Sequence, residues 1–285
     1  MKTFEPEKLL SKKLEENFEF SLHNDFVENK SVLGIDIYKY SEYPAEIQIY
    51  VPVLFNALHK LTIGNCCKRE KYFFHKYGDT FDFFKSQFIS TGDGGFQIFD
   101  NPIQSIIFAT YFQLNVQRFN SGSLINTLND NLYKIIGRIE LRYAITYDKI
   151  YSYDNNFYGP AIINNSRILS KDHLNRLLID FPTLDWFNKN INTIENLLII
   201  NKENFATIEY FRTYDKTETT FLFDKNEKNI IKAVDILKIG TIKSKNTILE
   251  IYNLRIQFNI HIDRVKNNYG NFLVTLGNLN TQGIE

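Results

Sequence analysis

Residues 31–38 read SVLGIDIY, and this short run of apolar and β-branched residues predicts a buried central strand. Asp36 is the one charged residue within it. Residues 88–99 read FISTGDGGFQIF, and their two apolar arms around Gly-Asp-Gly-Gly predict a β-hairpin with Asp93 in the turn. A buried carboxylate is unfavourable unless it is paired or bound to a metal. If the hairpin pairs beside the first strand, Asp36 and Asp93 can meet at one site for Mg²⁺ or Mn²⁺, which prefer oxygen ligands.

The elements around these two stretches predict the fold class. Helices are expected over 8–18, 44–61, 102–118 and 159–169, and further strands over 135–151, 234–241 and 248–258. The order strand, helix, hairpin, helix, strand predicts an α+β domain with a ferredoxin-like βαββαβ core and an antiparallel sheet. We expect an N-terminal helical segment over 1–29, one main domain over 30–258 and a C-terminal tail over 259–285. A long loop or hairpin is expected within 215–230.

Composition disfavours several classes of partner. Thirty-three basic residues balance 33 acidic ones, so no nucleic-acid partner is expected. No stretch reaches the roughly 18 to 20 apolar residues of a membrane-spanning helix, and the charged N-terminus does not resemble a signal peptide. Without an apolar span, no membrane partner is expected. The cysteines, Cys66 and Cys67, are adjacent and fit neither a zinc motif nor a disulfide framework, which favours a reducing cytoplasm.

Four segments, in order along the chain, resemble motifs of the class III adenylate and guanylate cyclases. GIDIYKYSEY at 34–43 resembles their first metal-binding strand, and STGDGGFQIF at 90–99 resembles the hairpin with their second metal-binding aspartate. NFYGPAIINNSRIL at 156–169 is similar to the segment that supplies a transition-state arginine. IKSKNTILEIYNL at 242–254 is similar to the terminal hairpin with a phosphate-binding lysine. Each segment alone is a weak motif, and the ordered set is more specific.

The resemblance implies that residues 30–258 form a class III cyclase homology domain that is homodimeric. Such an enzyme converts a nucleoside triphosphate into a 3′,5′-cyclic nucleotide and diphosphate. The resemblance implies that Asp36 and Asp93, with the carbonyl of Ile37, hold two divalent cations, Mn²⁺ or Mg²⁺. In this family the metal ligands and the arginine of one active site come from opposite protomers, so the homodimer is required.

The resemblance also assigns the residues that contact the substrate phosphates. Arg167 is implied to stabilise the charge that develops at the α-phosphate. Lys243 is implied to contact the phosphates, and Ser41 with neighbouring backbone amides is implied to surround them.

The sequence departs from the purine cyclases at the positions that read the base. Where adenylate cyclases have a lysine and an aspartate, this chain has Ile89 and Asn156, and the usual guanine code is missing as well. Ile89 cannot form a side-chain hydrogen bond, whereas Asn156 both donates and accepts. A second departure is Ile163, which stands where the family has a transition-state asparagine. Asn164 is the candidate for that role, with Asn165 as the alternative.

Cyclases that lack the purine code and a sensor domain resemble the pyrimidine cyclases of bacterial Pycsar anti-phage systems, whose cyclic nucleotide activates a toxic effector. This looser resemblance implies a uridylate cyclase that acts on UTP, with CTP as the alternative substrate. Because a pyrimidine is smaller than a purine, an aromatic side chain such as Tyr40 or Tyr43 is expected to narrow the base pocket.

Three alternatives remain open. A catalytically inactive cyclase-like protein could bind nucleotide and signal by contact, which Ile163 favours and the joint presence of Asp36, Asp93 and Arg167 disfavours. Another two-metal enzyme, such as a diguanylate cyclase or a polymerase, is disfavoured because the turn reads GDGGF rather than GG[DE]EF. A purine cyclase could read its base through backbone groups.

Overall fold

One sheet runs through the part of the chain that the computed structural model describes, which is residues 27–78, 81–124, 127–153, 156–226, 230–244, 247–265 and 268–284. Its strands are β1 (Val27–Ile37), β2 (Phe88–Ser90), β3 (Gly94–Phe99), β4 (Leu141–Tyr153), β5 (Asn156–Tyr158), β6 (Leu177–Asp180), β7 (Ile231–Ser244), β8 (Thr247–Val265) and β9 (Asn268–Leu276). They lie in the order β2-β3-β1-β4-β6-β8-β7, with β5 paired to β4 and β9 paired to β8. Between these strands, as far as the structure describes them, every pairing is antiparallel except that of β4 with β6.

The helices are α1 (Ala45–Gln48), α2 (Val51–Arg69), α3 (Lys71–Phe74), α4 (Phe81–Ser86), α5 (Pro102–Asn120), α6 (Thr127–Ile136), α7 (Pro160–Lys171), α8 (Phe181–Ile191) and α9 (Lys202–Thr207). The long helices α2 and α5 pack against each other. A capping box starts α5, because the side chains of Asn101 and Gln104 each accept a hydrogen bond from the other residue's amide. Among the described residues, no helix combines the length and the apolar character that crossing a membrane requires.

The first four strands form the predicted core. β2, β3, β1 and β4 are neighbours in that order, α2 lies between β1 and β2 in the chain, and α5 lies between β3 and β4. This is the ferredoxin-like βαββαβ arrangement. The prediction of an α+β domain with an antiparallel-dominated sheet is therefore confirmed.

The two faces of the sheet have different coverings. Leu33 and Ile35 of β1 belong to the main core together with residues of α2 and α5. Val32 packs instead with Ala161 of α7. Because side chains alternate between faces along a strand, Asp36 lies on the face of Val32, which α7 covers.

The helix predicted over 44–61 is wrong in its extent. Two helices replace it, since α1 and α2 are separated at Ile49 and Tyr50, and α2 continues to Arg69. Pro52 lies in the first turn of α2, where a missing amide hydrogen costs nothing because that amide has no partner within the helix. The proline therefore starts a new helix at this point.

The strand predicted over 135–151 is wrong at its beginning. Residues up to Ile136 belong to α6, and β4 begins at Leu141. Gly137 has φ of 76°, a left-handed conformation that is typical of the residue after a helix. Gly137 therefore ends α6 within the apolar stretch from which the strand over 135–151 was predicted.

The C-terminal residues extend the sheet. The expected boundary after residue 258 falls inside β8, and β9 pairs along β8. The helix predicted over 8–18, and all of the expected 1–29 segment up to residue 26, lie outside the described residues. Over 215–226 the chain forms turns and bends, without a hairpin.

Residues 181–226, for which the sequence predicted little structure, pack apolar side chains such as Trp186 and Phe211 into the main core, and one buried carboxylate adds hydrogen bonds to this segment. Glu70, which follows α2, accepts hydrogen bonds from the hydroxyl of Tyr111 (2.5 Å), the hydroxyl of Thr220 and the amide of Leu222 (3.1 Å). Burial raises the pKa of Glu70 to about 7, although these hydrogen bonds oppose the shift. One of the groups that attach this segment therefore titrates near neutral pH.

We predict that Glu70→Gln makes the stability of the protein less dependent on pH. The folded state raises the pKa of Glu70 from 4.5 to about 7, so ionisation is less favourable in the folded state than in the unfolded one. The wild type should therefore lose stability as the pH rises through this window, by up to roughly 3 kcal/mol from this group. The amide of the variant imitates the protonated carboxyl and should avoid that loss.

Chemical denaturation near pH 5 and near pH 8 measures the effect. The exposed Glu209→Gln is the matched control and should behave as the wild type does. If Glu70→Gln and the wild type lose the same amount of stability between pH 5 and pH 8, Glu70 does not contribute to the pH dependence.

Candidate active site

Asp36 and Asp93 lie together where the end of β1 meets the β2–β3 turn. Asp36 is opposite Gly94 in the β1–β3 pairing, and the amide of Ile37 donates to the carbonyl of Asp93 (3.2 Å). Partial burial, the charge of Asp36 and a hydrogen bond with its side chain raise the pKa of Asp93. Two carboxylates this close repel each other when both are ionised, and a bound cation relieves that repulsion.

The glycine at position 94 permits this approach. A β-carbon added there would lie 2.1 Å from the carbonyl oxygen of Ile35, a distance that no real contact of this kind has. Any other residue would push the hairpin away from β1. Gly94 therefore lets the turn bring Asp93 against Asp36.

Arg142 neutralises part of this charge, and the sequence interpretation did not single it out. It lies opposite Asp36 in the β1–β4 pairing, its Nε donates to Oδ2 of Asp36 (2.8 Å), and its Nη2 contacts the same oxygen. Its Nη1 donates to the carbonyls of Asp172 (2.6 Å) and Leu169 (3.2 Å) at the end of α7. One guanidinium thus holds the carboxylate of Asp36 and connects it to α7. In the sequence, Arg142 is recognisable only as an arginine near the start of an apolar strand. The pairing register of β1 with β4 is needed to show that its partner is the carboxylate of Asp36.

A cavity of about 320 Å³ opens beside the two carboxylates. It is lined by Asp36, Ile37, Tyr38, Lys39, Tyr40, Ser41, Glu42, Asp93, Arg142 and His173. A short 3-10 turn that follows β1 contributes Tyr40 and Ser41. Five of the predicted site residues, which are Asp36, Ile37, Asp93, Tyr40 and Ser41, therefore share one cavity.

A second group of predicted residues lies at the β7–β8 turn. Arg167 of α7 donates to Oδ1 of Asn164 (3.2 Å) and to the hydroxyl of Thr247 (3.4 Å) at the start of β8. Lys243 is exposed and pairs with Ile248 across the same turn. Among the described residues that line the cavity at Asp36, none belongs to this group. Within one chain, the predicted site is thus divided into two parts.

The two neighbouring asparagines of α7 have different surroundings. The side-chain amide of Asn165 is fully buried and donates to the carbonyls of Val32 (2.8 Å) and Ala144 (3.0 Å) in the sheet. A β-carbon at Gly34 would lie 2.0 Å from its Oδ1, so the helix and the strand fit closely here. Asn165 therefore fixes α7 to the sheet, and Asn164 is the asparagine beside Arg167.

The residues predicted to read the base lie near an apolar cluster. Ile89 packs against the buried cluster of Val32, Ile98, Ile150 and Ala161, as do Phe96, Phe157 and Ile162. Asn156 is exposed, and its Oδ1 accepts from the amide of Phe157 (2.9 Å). Tyr40 is separate from this cluster, since it lines the cavity at the carboxylates.

The donor set suits a hard cation that a substrate helps to bind. Mg²⁺ and Mn²⁺ usually bind through one or two carboxylates together with phosphate oxygens and water. Within the described ranges, no group of three or more His, Cys, Asp or Glu side chains is arranged to hold a metal. A cation at Asp36 and Asp93 would therefore need further oxygens from water or from a bound phosphate.

No family model matches the chain, and no curated protein matches it in sequence. Solved structures of cyclases are similar to it at low identity. The adenylyl cyclase CyaB from P. aeruginosa has 12% identity and a TM-score of 0.42, with 85% of this chain and 97% of that chain covered. The adenylate/guanylate cyclase/hydrolase from Silicibacter pomeroyi has 13% identity and a TM-score of 0.42, with 80% and 96% covered.

A third similar structure is the catalytic core of a rhodopsin-guanylyl cyclase with converted specificity in complex with ATPαS. It has 9% identity and a TM-score of 0.43, with 80% of this chain and 95% of that chain covered. Similarities of this size are weak. The strand order and register therefore define the fold.

We predict that Arg142 and Asp36 are energetically coupled. Arg142→Ala leaves Asp36 beside Asp93 without its counter-ion and removes two hydrogen bonds to α7, so it should destabilise the protein by about 2 kcal/mol. In an Asp36→Ala background, Arg142→Ala should lower the free energy of unfolding by clearly less, because the carboxylate that needs a partner is gone.

A double-mutant cycle, followed by chemical denaturation, measures this coupling. The exposed pair Asp185–Lys189 is the matched control and should show little coupling. Additive effects at Arg142 and Asp36 would contradict the prediction.

Proposed function

We propose that this protein is a homodimeric nucleotidyl cyclase that converts UTP, or alternatively CTP, into the 3′,5′-cyclic nucleotide and diphosphate. The observation that carries the proposal is the meeting of Asp36 and Asp93 at one cavity, beside the turn that contains Ser41. Four ordered segments that resemble class III cyclases support it, and so does the ferredoxin-like core on which the aspartates lie.

In this proposal Asp36, Asp93 and the carbonyl of Ile37 would hold two Mn²⁺ or Mg²⁺ ions, which would supply activation of the ribose 3′-hydroxyl and positive charge against the triphosphate. The 3′-oxygen attacks the α-phosphorus, the bond from this phosphorus to the diphosphate breaks, and the hydroxyl proton leaves to solvent. The chain keeps the metal-binding oxygens together, since Gly94 brings the turn close to β1 and Arg142 fixes the carboxylate of Asp36.

The residues at the β7–β8 turn complete the site of the partner protomer in this proposal. Arg167 and Lys243 do not line the cavity of their own chain, and a homodimer can bring them to the cavity of the other chain. There Arg167 stabilises the charge at the α-phosphate, and Lys243 binds the phosphates. Asn164 accepts a hydrogen bond from Arg167 and orients its guanidinium.

The apolar surroundings of Ile89 support a pyrimidine substrate. Ile89 packs against an apolar cluster that includes Val32 and Ala161, and its own side chain offers no hydrogen bond to a purine ring nitrogen at this position. Asn156 offers one donor and one acceptor, as the edge of uracil or cytosine requires. We favour UTP because of the looser resemblance to the Pycsar pyrimidine cyclases, and we propose on the same ground that the product is the second messenger of an anti-phage system.

A product assay tests the proposal. Purified protein is incubated with Mn²⁺ and each of ATP, GTP, CTP and UTP, and the products are identified by mass spectrometry. We expect cyclic UMP from the wild type and a loss of at least about a hundredfold in Asp36→Ala and Asp93→Ala, because each change removes a metal ligand.

The other outcomes are equally informative. Cyclic AMP or cyclic GMP as the main product would contradict the pyrimidine assignment and leave a purine cyclase. Nucleotide binding without any cyclic product would support an inactive nucleotide-binding protein, to which the departure at Ile163 points.

Mixing two inactive variants tests the shared active site. Asp93→Ala and Arg167→Ala homodimers should each be inactive, because every site lacks one group. In a heterodimer one site has both groups, so an exchanged mixture should recover about a quarter of the wild-type activity. If the mixture of the two variants stays inactive although subunit exchange has been demonstrated, the active site is not built from two protomers.

A further inference from the structure

Lys39 has an unusual backbone conformation at the edge of the cavity. Its φ is 62° and its ψ is 27°, in the left-handed region. Among the described residues other than glycine, only Lys39 and Asn192 have a positive φ. A side chain is strained in this region because its β-carbon approaches the following carbonyl oxygen, whereas glycine adopts it freely. Strained residues that persist are concentrated at binding and catalytic sites.

Hydrogen bonds on both sides hold the backbone at Lys39. Before it, the amide of Tyr38 donates to the carbonyl of Glu140 (2.9 Å). After it, the carbonyl of Lys39 accepts from the amide of Glu42 (3.0 Å) in the 3-10 turn. The chain therefore turns sharply at this residue, and Lys39 lines the cavity that contains Asp36 and Asp93.

The ammonium of Lys39 is available to a ligand. Among the described residues that line the cavity, Lys39 and Arg142 carry a permanent positive charge. The guanidinium of Arg142 is committed to Asp36 and to the end of α7. Lys39 has an ion pair with Glu42 at 3.3 Å, and about half of its side chain is exposed (52%). An exposed pair of this kind contributes little, so Lys39 can exchange Glu42 for a phosphate at small cost.

We propose that Lys39 binds the terminal phosphates of the nucleoside triphosphate, from the same protomer that supplies Asp36 and Asp93. The inference rests on the proposed function and adds to it a residue that selects for the number of phosphates. A triphosphate presents its β- and γ-phosphates to the ammonium, whereas a monophosphate held at the carboxylates does not reach it. A glycine would make the same turn without strain, and it would leave the cavity without this cation.

Three substitutions separate the charge of Lys39 from its backbone strain. Lys39→Arg keeps both, Lys39→Gln keeps the strain and removes the charge, and Lys39→Gly removes both. Asn192→Gly, at the end of α8, is the matched control that relieves the other strained residue outside the cavity.

The probes are inorganic tripolyphosphate and UTP, each with Mn²⁺, measured by calorimetry, together with the thermal midpoint of each variant. We expect Lys39→Gln and Lys39→Gly to bind both probes about tenfold more weakly and Lys39→Arg to bind them nearly as the wild type does. Orthophosphate should bind equally to all variants. Lys39→Gly and Asn192→Gly should each raise the midpoint by about 2 °C, and Asn192→Gly should leave the affinity unchanged.

If Lys39→Gln and Lys39→Gly both bind UTP and tripolyphosphate as tightly as the wild type does, the inference about Lys39 is wrong. The proposed function would still stand in that case, provided that the binding of UTP depends on Asp36. A wild type that binds neither UTP nor tripolyphosphate would overturn the proposed function and this inference with it.

Discussion

The close pairing of β3 with β1 is the constraint on which the candidate site depends. Because Gly94 has no side chain, the β2–β3 turn reaches the end of β1 and sets Asp93 against Asp36. Partial burial of Asp93 and the nearby charge of Asp36 raise the pKa of Asp93. Folding thus brings two carboxylates together at one end of the sheet, and in the proposed function their mutual repulsion is what favours the binding of a cation there.

Two side chains connect this charge to the helix on the same face of the sheet. Arg142 offsets part of the charge of Asp36 and donates to carbonyls at the end of α7, and Asn165 attaches the middle of α7 to the strands. The helix that carries Arg167 is therefore fixed relative to Asp36 within one protomer. In the proposed homodimer, each protomer would supply a rigid pair of half-sites, so the relative position of the two protomers determines whether both sites are complete.

Features with a local signal could be predicted from the sequence. The strand with Asp36 and the hairpin with Asp93 each show their apolar pattern and glycines within about a dozen residues, and the ferredoxin-like order follows from them. Arg142 and Glu70 could not be assigned in this way, because their roles come from partners that are distant in the chain. The choice between Asn164 and Asn165 likewise required the orientation of α7, since the two residues are adjacent and chemically identical.

An electron paramagnetic resonance titration with Mn²⁺ tests whether Asp36 and Asp93 form one cation site. The signal of free Mn²⁺ disappears when the ion binds, so binding is measured without turnover, both with and without UTP. We predict that the wild type binds Mn²⁺ and that Asp36→Asn and Asp93→Asn each lose most of that binding while remaining folded. Equal binding by the wild type and both variants would contradict it.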